Sequence, residues 1–354
     1  MTYDVIIIGA GPAGSAAAYD LADAGLKVLL IDRVNFPRKK PCAGGLTPKT
    51  VKLFRYDISP MIKKRCRSVN ISLSGIKTCN TIKDDILCNM TQREEIDTFC
   101  LKKAIQKGCI FKIYENIVSI EEKKTHVFIK TLTETVKADY LIGSDGVNSI
   151  VRRSLAHSFP VIKCFAIEMD VYVKNLFQYD MEFRFIPDKK AYYWLFPRDD
   201  HVNIGIYTSS PNHGNGRSFL NKKNLKQWAD YKLNSYTPGL IKGYPLGTGG
   251  WRYRVKSDRI FLTGDAAGFC ENFFGEGIYH AVKSGQYAAQ AIIEALNTGS
   301  NAGKEYQKKI RIIQKSLLIS HAGSQWFYKF PESSLKFFSI PFIQQQACKI
   351  FCLR

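Results

Sequence analysis

The chain has 354 residues, of which 45% are hydrophobic and 23% are charged, and its formal net charge is +20 at pH 7. This composition excludes a disordered or low-complexity chain and leaves room for two domains. The basic residues are scattered without a nucleic-acid-binding motif. We interpret them first as a solvated basic surface and second as contact with an anionic membrane, and we predict no nucleic-acid partner. No apolar run reaches the roughly 20 residues that span a bilayer.

The ten cysteines have neither zinc nor iron–sulfur spacing, so no metal site is predicted. An apolar strand that begins at Asp4 leaves no signal peptide ahead of it. Free thiols are typical of a reducing compartment. We therefore expect a cytoplasmic protein, with peripheral contact to the cytoplasmic face of the membrane as an open alternative.

The first 33 residues predict a dinucleotide-binding unit. An apolar strand over residues 4–9 leads into the sequence GAGPAG, and a helix and a second apolar strand ending at Asp32 follow. Gly9 permits a tight turn, Gly11 lets the backbone approach a pyrophosphate, and Gly14 lets helix and strand pack closely. The helix N-terminus favours the pyrophosphate charge, and Asp32 is placed to accept hydrogen bonds from ribose hydroxyls.

The middle of the chain alternates loops, helices and strands. Two glycines between the prolines of residues 41–48 predict a sharply turned loop. A helix is predicted over residues 91–107, and Arg93 in its first turn opposes the helix dipole. Arg93 is therefore either solvent-facing or directed at a cofactor. Short strands follow, and a buried strand over residues 139–143 leads into an Asp-Gly turn at 145–146.

The second half of the chain begins with a different pattern. Strands rich in aromatic residues are predicted over residues 162–207, with YYWLFP at 192–197 in their centre. A strand ending in Gly-Asp at 264–265 repeats the style of the first unit, and a long helix is predicted over 279–296. The tail, residues 304–354, combines helix-period apolar residues with a basic face. It fits a helical cap or an interfacial surface that collects a lipid.

Four segments together resemble the FAD-dependent oxidoreductases of the glutathione-reductase type. They are GAGPAG with Asp32, Arg93, the Asp-Gly turn at 145–146 and the Gly-Asp turn at 264–265. The segments are far apart in the chain and each has its own motif, so the resemblance is specific and covers most of the chain.

Three further motifs resemble the geranylgeranyl reductase family, which includes digeranylgeranylglycerophospholipid reductases and CbrA-like flavoproteins. They are PCAGG at residues 41–45, YYWLFP at 192–197 and GEGI at 275–278. Two features depart from the family pattern. The acid that ends the second strand is Asp32 where many relatives have Glu, and the chain is shorter than many archaeal members, which leaves the size of the substrate tunnel open.

The elements and the resemblance together imply an α/β fold: a Rossmann-like FAD-binding domain, an inserted antiparallel β-sheet substrate domain and a C-terminal helical segment. We predict a discontinuous FAD-binding domain of which part of residues 60–90 belongs to the substrate domain. The predicted boundaries are 1–160 and 255–300 for the FAD-binding domain, 161–254 for the substrate domain and 301–354 for the helical cap.

The resemblance also implies site residues. The residues expected to bind FAD are Gly9, Gly11, Pro12, Ala13, Gly14, Asp32, Arg33, Cys42, Ala43, Gly45, Arg93, Val118, Asp265, Gly277 and Ile278. The residues expected to bind the substrate are Tyr192, Trp194, Phe196 and Pro197. Cys42 is a candidate for the catalytic proton donor, with loop packing as the alternative.

The activity implied is the saturation of carbon–carbon double bonds in a prenyl lipid or prenyl diphosphate. Electrons would come from NAD(P)H or from a ferredoxin-like carrier protein. Two alternatives stay open: a FAD-dependent monooxygenase or halogenase on the same scaffold, and a non-catalytic flavin-carrying protein that binds prenyl lipids. Halogenases usually show WxWxIP, where this chain has Tyr192, Trp194, Phe196 and Pro197.

Overall fold

A computed structural model describes residues 2–73, 77–82, 85–155, 159–176, 178–209 and 218–340. The chain divides into two compact units. The first unit comprises residues 1–39, 94–162 and 247–320, and the second unit comprises residues 40–93, 163–246 and 321–354.

The described strands, in chain order, are β1 (Thr2–Ile8), β2 (Val28–Asp32), β3 (Gly45–Leu46), β4 (Lys64–Cys66), β5 (Ser68–Leu73), β6 (Lys77–Ile82), β7 (Cys88–Met90), β8 (Ile110–Ile113), β9 (Ile117–Glu122), β10 (Val127–Thr131), β11 (Thr135–Gly143), β12 (Ile162–Tyr172), β13 (Met181–Ile186), β14 (Ala191–Pro197), β15 (Val202–Thr208), β16 (Thr237–Pro238), β17 (Lys242–Thr248) and β18 (Ile260–Leu262). The described α-helices are α1 (Pro12–Asp23), α2 (Pro48–Val51), α3 (Arg93–Gln106), α4 (Ile150–Ser154), α5 (Lys222–Lys232), α6 (Ile278–Thr298), α7 (Ala302–Lys329) and α8 (Pro331–Phe338).

The first unit is built on a Rossmann-like sheet with the strand order β8-β2-β1-β11-β10-β9 and with β18 on β11. β1 pairs in parallel with β2 and β11, and β2 pairs in parallel with β8, whereas β10 is antiparallel to both β9 and β11. The central strands β1 and β2 are buried almost throughout, as parallel strands covered on both faces must be. Helices α1 and α6 pack so closely that a Cβ at Gly285 of α6 would lie only 2.1 Å from the Ala13 carbonyl oxygen of α1.

The second unit contains a sheet with the strand order β16-β12-β15-β14-β13-β5-β6 and with β17 on β12. Its central pairs are antiparallel, and β5 joins β13 in parallel. One cross-strand row aligns Glu168 on β12, Gly205 on β15, Trp194 on β14 and Phe183 on β13. Residues aligned across neighbouring strands share a face of the sheet, so this row fixes which side chains meet. A smaller sheet has the order β3-β7-β4.

The two compact units divide the chain differently from the predicted domains. Residues 40–93 belong to the second unit, since β5 pairs with β13 there. The start of α7 belongs to the first unit, because Tyr306, Ile310 and Leu317 are buried in that unit's core. The predicted cap beyond residue 340 lies outside the described residues. The predicted fold class, an α/β fold with a Rossmann-like sheet, a largely antiparallel second sheet and C-terminal helices, is confirmed.

Within the described ranges, no helix combines the length and the hydropathy that a bilayer-spanning segment requires.

Candidate functional site

The glycine turn after β1 has no room for side chains at two of its positions. Gly9 has φ +102°, and a Cβ there would lie 2.3 Å from the Ser144 carbonyl oxygen. A Cβ at Gly14 would lie 1.8 Å from the Gly9 carbonyl oxygen. Both distances are far inside van der Waals contact, so only glycine fits, as a tight turn and a close helix–strand approach require.

Gly11 differs from its two neighbours because the space beside it is open. The nearest atom to a Cβ at Gly11 is Nη2 of Arg38, 3.5 Å away. Pro12 opens helix α1, which has no side-chain cap and no acidic residue in its first turn. The first N–H groups of a helix have no partner within it and attract anions, so this end of α1 fits the pyrophosphate of a dinucleotide.

Arg38 is a residue of this site that the sequence analysis missed. Its Nη2 is 3.2 Å from Oδ2 of buried Asp97, and its guanidinium carbon lies 4.9 Å from the centre of the Phe36 ring. The buried Nε of Arg38 has no hydrogen-bond partner in the described part of the chain. A guanidinium held beside Gly11 with a donor to spare also fits a bound diphosphate. In the sequence it stood among many scattered basic residues, and only the fold places it at the turn.

Asp32 closes the glycine turn as well as standing at the end of β2. Its Oδ2 accepts a hydrogen bond of 2.8 Å from the Ala10 amide, and its Oδ1 accepts one of 3.3 Å from the Val34 amide. The carboxylate is 9% exposed and keeps lone pairs for a ribose. Arg33, the next residue, is exposed.

The Gly-Asp turn lies against α1 and α6. The Gly264 amide donates to Oγ of Ser284 over 2.9 Å, and a Cβ at Gly264 would lie 3.4 Å from the Ala13 Cβ. Oδ2 of Asp265 accepts a hydrogen bond of 3.3 Å from the Gly247 amide. The structure therefore brings the predicted cofactor residues of α1 and the Gly-Asp turn together.

The start of α6 joins the same group. A Cβ at Gly277 would lie 3.6 Å from Oδ1 of Asp265, and Ile278 is the first residue of the helix. Gly277, the N-cap residue, has no side chain to cap this helix, and the first turn holds no acid, so the positive dipole end is not neutralised by the helix itself.

Glu271, which sequence reasoning also missed, shapes the loop before α6. Its carboxylate accepts hydrogen bonds of 2.5 Å from the Phe273 amide and 2.7 Å from the Phe274 amide, and it accepts the hydroxyl of Ser320. Burial raises the pKa of Glu271. The glutamate thus folds the residues that lead to Gly277.

Val118 and Asp145 complete the predicted features of the first unit, and the backbone nitrogen of Asp145 would lie 2.8 Å from a Cβ at Gly9. Val118 is 54% exposed on β9, which is three places from β1 in the strand order. Its contact with FAD stays a prediction. Asp145 caps helix α4, where it accepts a hydrogen bond of 2.6 Å from the Ile150 amide, and burial raises the pKa of this carboxyl.

In the second unit, the loop of residues 42–45, which we call the CAGG loop, packs on the aromatic strand β14. Gly44 has φ +73° and a Cβ there would lie 2.1 Å from the Thr91 carbonyl oxygen. The Gly44 carbonyl accepts a hydrogen bond of 2.8 Å from the Thr91 hydroxyl. A Cβ at Gly45 would lie 3.4 Å from Cε2 of Phe196. The two motifs that resemble the reductase family are therefore in contact.

Two side chains of the sheet hold the first half of the CAGG loop. Oε1 of Glu168 accepts a hydrogen bond of 2.9 Å from the Cys42 amide. Nη2 of Arg198 donates to the carbonyl oxygens of Cys42 and Ala43 over 3.2 and 3.3 Å. The Cys42 thiol is free, and its Sγ accepts a hydrogen bond of 3.4 Å from the Gly44 amide. A catalytic role of Cys42 stays a prediction.

The predicted substrate residues lie on β14, but not all on one face. Alternation along the strand puts Tyr192, Trp194 and Phe196 on one face and Pro197 on the other. All four are buried. The Phe183 ring lies 5.4 Å from Tyr192 and 5.3 Å from Phe196, measured between ring centres. The first three residues thus form one aromatic face, and a shared contact for Pro197 stays a prediction.

A buried polar chain runs from this aromatic face to Arg198. Nε1 of Trp194 donates to Oδ1 of Asn203 over 2.8 Å, and Nδ2 of Asn203 donates to Oδ1 of Asp170 over 2.9 Å. Nε2 of His201 lies 3.3 Å from that Asp170 oxygen and 2.9 Å from Nη1 of Arg198. No sequence motif signalled this chain, because the strand register assembles it.

The pKa values of two carboxyls on β12 move apart. Burial, together with the charge of Asp170, raises the pKa of Glu168 to about 7. Burial acts on Asp170 in the same direction, but hydrogen bonds to His201 and Asn203 and the charge of Arg198 outweigh it and hold the pKa of Asp170 well below its usual range.

Arg93, predicted to reach the cofactor, is buried at the first residue of α3, and its cofactor contact stays a prediction.

Comparisons with known proteins agree with this geometry. Residues 2–227 match the family model described as FAD binding domain. The chain is 36% identical over 332 residues to an uncharacterised protein of Methanosarcina barkeri, covering 92% of this chain and 84% of that protein. It is 30% identical to a geranylgeranyl diphosphate reductase of Rhodobacter capsulatus, covering 85% and 78% of the two chains. It is 26% identical to a digeranylgeranylglycerophospholipid reductase of Methanococcus vannielii, covering 96% and 86%.

Solved structures share the fold. A geranylgeranyl bacteriochlorophyll reductase-like protein from Thermoplasma acidophilum matches with a TM-score of 0.81 at 21% identity, covering 92% of this chain and 88% of its own. A flavin-dependent brominase also matches with a TM-score of 0.81, at 18% identity and covering 99% and 93%. At these identities the likeness concerns the fold alone.

Proposed function

We propose, from the premise that the chain belongs to the geranylgeranyl reductase family of FAD-dependent oxidoreductases, that it saturates carbon–carbon double bonds of prenyl chains in lipids or lipid precursors. The observation that supports this most is the contact of the CAGG loop with Phe196 of the aromatic strand. This contact joins the two motifs that distinguish the reductases from the wider class of flavin enzymes.

The first unit would bind FAD. In this proposal the α1 N-terminus and Arg38 hold the pyrophosphate, Asp32 holds the adenosine ribose, Asp265 holds the ribityl side and Gly277 lies beside the flavin ring. When bound and reduced, FAD supplies the hydride for the reaction. The start of α6 would favour negative charge on the reduced ring, since no acid stands in its first turn.

The aromatic face of the second unit would bind the prenyl chain. Tyr192, Trp194 and Phe196 offer apolar surface of defined shape, which suits a long hydrocarbon without polar handles. An isolated alkene is a poor hydride acceptor, so accurate placement and exclusion of water must provide much of the rate enhancement. The proposed electron source is NAD(P)H or a ferredoxin-like carrier. The proposed substrate is a prenyl diphosphate or a prenyl phospholipid.

An anaerobic flavin titration tests the proposal. Purified protein is reduced with dithionite, and geranylgeranyl diphosphate or an extracted prenyl lipid is added while the flavin spectrum is recorded. Reoxidation of the flavin without oxygen is the expected result. Reoxidation only when air is admitted, with a hydroxylated or halogenated product, would favour a monooxygenase or halogenase. Flavin that binds prenyl lipid and stays reduced would favour a non-catalytic carrier.

We also propose that helix α7 contacts an anionic membrane surface. Ile312, Ile319 and Trp326 are 67%, 63% and 61% exposed, respectively, and follow one another at seven-residue spacing. Lys308 and Lys315 repeat at the same spacing beside them. Exposed apolar side chains flanked by lysines are typical of helices that lie on anionic lipid. The net charge of +20 is complementary to such a surface.

Vesicle sedimentation tests the membrane contact. The protein is expected to sediment with phosphatidylglycerol vesicles at low salt and to stay in solution with phosphatidylcholine alone. An I312E/I319E double variant should lose binding, whereas L240E, at a side chain that is 81% exposed, should retain it. If the double variant still binds, or if it changes the oligomeric state instead, the helix does not contact lipid.

A further inference from the structure

We propose that Glu168 is the proton donor of the alkene reduction. The inference rests on the proposed function and deepens it, because it assigns the source of the second hydrogen atom. Glu168 lies on β12, outside every motif that identified the family, and it is a buried carboxyl that shares a face of the sheet with the aromatic residues of β14 and with Asp170.

The strand register brings Glu168 to the aromatic face. Glu168 aligns with Gly205, and Gly205 aligns with Trp194, so the three residues share one face of three neighbouring strands. Gly205 has no side chain, and the Trp194 indole fills its place: a Cβ there would lie 1.9 Å from Cζ2 of Trp194. No other side chain of this row therefore stands between the indole and the β12 carboxyl. A prenyl chain on the indole would lie beside Glu168.

The carboxyl is oriented, and one of its oxygens is left for a proton. Oε1 accepts the Cys42 amide over 2.9 Å. Within the described ranges, Oε2 takes part in no hydrogen bond. An oriented carboxyl with an uncommitted oxygen is the arrangement that a general acid requires.

The surroundings of the two β12 carboxyls favour the protonated form of Glu168 and the ionised form of Asp170. The groups that act on Glu168 are Asp170 on its own strand, Arg198, Lys242 on β17 and the Cys42 amide. Burial and Asp170 dominate and raise the pKa of Glu168 to about 7, so at neutral pH much of it carries a proton. Asp170 stays ionised through Asn203, His201 and Arg198. Paired carboxyls with pKa values pushed apart are typical of acid–base sites.

The step balances in atoms and electrons. The π bond of the alkene breaks; one carbon receives the hydride and the other receives the proton of the Glu168 carboxyl, whose O–H bond breaks. The alkene gains the two electrons that the reduced cofactor loses. Glu168 is left as a carboxylate and regains a proton from water before the next turnover.

The decisive variant is E168Q, because an amide oxygen still accepts the Cys42 N–H but the side chain has no acidic proton. We expect alkene saturation to fall about 100-fold, the usual contribution of a general acid, while FAD content stays unchanged. The wild-type rate should decline as the pH rises past about 7, and this decline should be absent in E168Q and retained in E168D. C42S tests the competing donor: if Glu168 gives the proton, the decline above pH 7 persists in C42S whatever the rate of that variant.

Infrared difference spectroscopy provides a readout that does not need turnover. Wild-type protein should show the carbonyl stretch of a protonated carboxyl that disappears as the pH is raised through about 7, and E168Q should lack this band. The inference is overturned if E168Q reduces prenyl substrate within threefold of wild type, or if C42S rather than E168Q loses the pH-dependent decline. If wild-type protein reduces no prenyl substrate while the band titrates normally, the proposed function fails instead.

Discussion

The glycine turn of the first unit and the aromatic face of the second unit are built from different parts of the polypeptide. At the turn, the important groups are backbone atoms: Gly9 and Gly14 are in contact with carbonyl oxygens, and the side chain of Asp32 binds the Ala10 amide. On the aromatic face, the important groups are side chains on neighbouring strands, such as Glu168 and Trp194, which both align with Gly205.

This difference predicts different responses to mutation. At Gly9 and Gly14 the backbone leaves no room for added atoms, so a single methyl group at either position should destroy the turn together with local folding. A site built from aligned side chains changes its chemistry residue by residue while the sheet persists.

The largest expected effect tests the steric claim about the turn. G9A should abolish FAD binding and lower the melting temperature sharply, because the methyl group meets the Ser144 carbonyl at 2.3 Å. G108A is a matched control: Gly108 has φ +101°, against +102° for Gly9, and among the described residues no atom beyond its chain neighbours lies within 4 Å of its Cβ position. The free energy of unfolding of G108A should fall by only about 1 kcal/mol, because a residue with a Cβ is less stable in the left-handed backbone conformation. Flavin absorbance and thermal unfolding of both variants decide the matter. Equal losses in the two would refute the steric explanation.

A second prediction concerns the pH dependence of stability in the second unit. A glutamate carboxyl ordinarily has a pKa of 4.5, and folding raises the pKa of Glu168 to about 7, so stability falls as the pH rises from 4.5 through 7. E168Q has no such charge to bury. The difference in the free energy of unfolding between E168Q and wild type should therefore increase in favour of E168Q by up to about 3 kcal/mol from pH 4 to pH 8. This value follows from about 1.36 kcal/mol per pKa unit. Urea unfolding at both pH values measures this gain. A wild-type–variant difference that does not change with pH would contradict the buried acid.

A third prediction separates the two regions. G205A should displace the Trp194 indole, because its Cβ would lie 1.9 Å from Cζ2. Overpacking of this kind costs about 2 kcal/mol. Prenyl reduction should fall about tenfold as the substrate is misplaced, while FAD content is unchanged. In the control G243A, the nearest atom to the added Cβ is a side-chain methyl of Ile167 at 3.2 Å, and activity should be retained. Loss of FAD in G205A would show that the aromatic face is not specific to the substrate.

The smallest expected effect distinguishes the two roles of Asp32. In D32N, the amide oxygen still accepts the Ala10 N–H that Asp32 binds over 2.8 Å, but the charge is gone. FAD affinity should fall about tenfold, which corresponds to about 1.4 kcal/mol, with little change in melting temperature. D32A should lose affinity and stability together. Equilibrium binding of FAD to apoprotein and thermal unfolding measure the two effects, and an unchanged affinity in D32N would remove the ribose contact from the account.

The same contrast explains which parts of the molecule were predictable. The glycine turn is predictable from consecutive residues, because the spacing of its glycines determines the geometry of the turn. The contact between Gly45 and Phe196 and the pairing of β5 with β13 join residues more than 100 positions apart, and no local pattern records such pairing. Arg38 and Glu168 were missed for this reason: each became recognisable as a site residue only from its neighbours in the folded chain.

The mass of the product made by a known amount of reduced flavin tests the proposed alkene reduction most directly. A known amount of protein with dithionite-reduced flavin is mixed with excess geranylgeranyl diphosphate in the absence of oxygen. The prenyl product is then extracted, and its mass is measured by mass spectrometry. We expect one hydrogen pair to be added to one substrate molecule for each flavin that is reoxidised. Flavin that stays reduced, or substrate of unchanged mass after reoxidation, would contradict it.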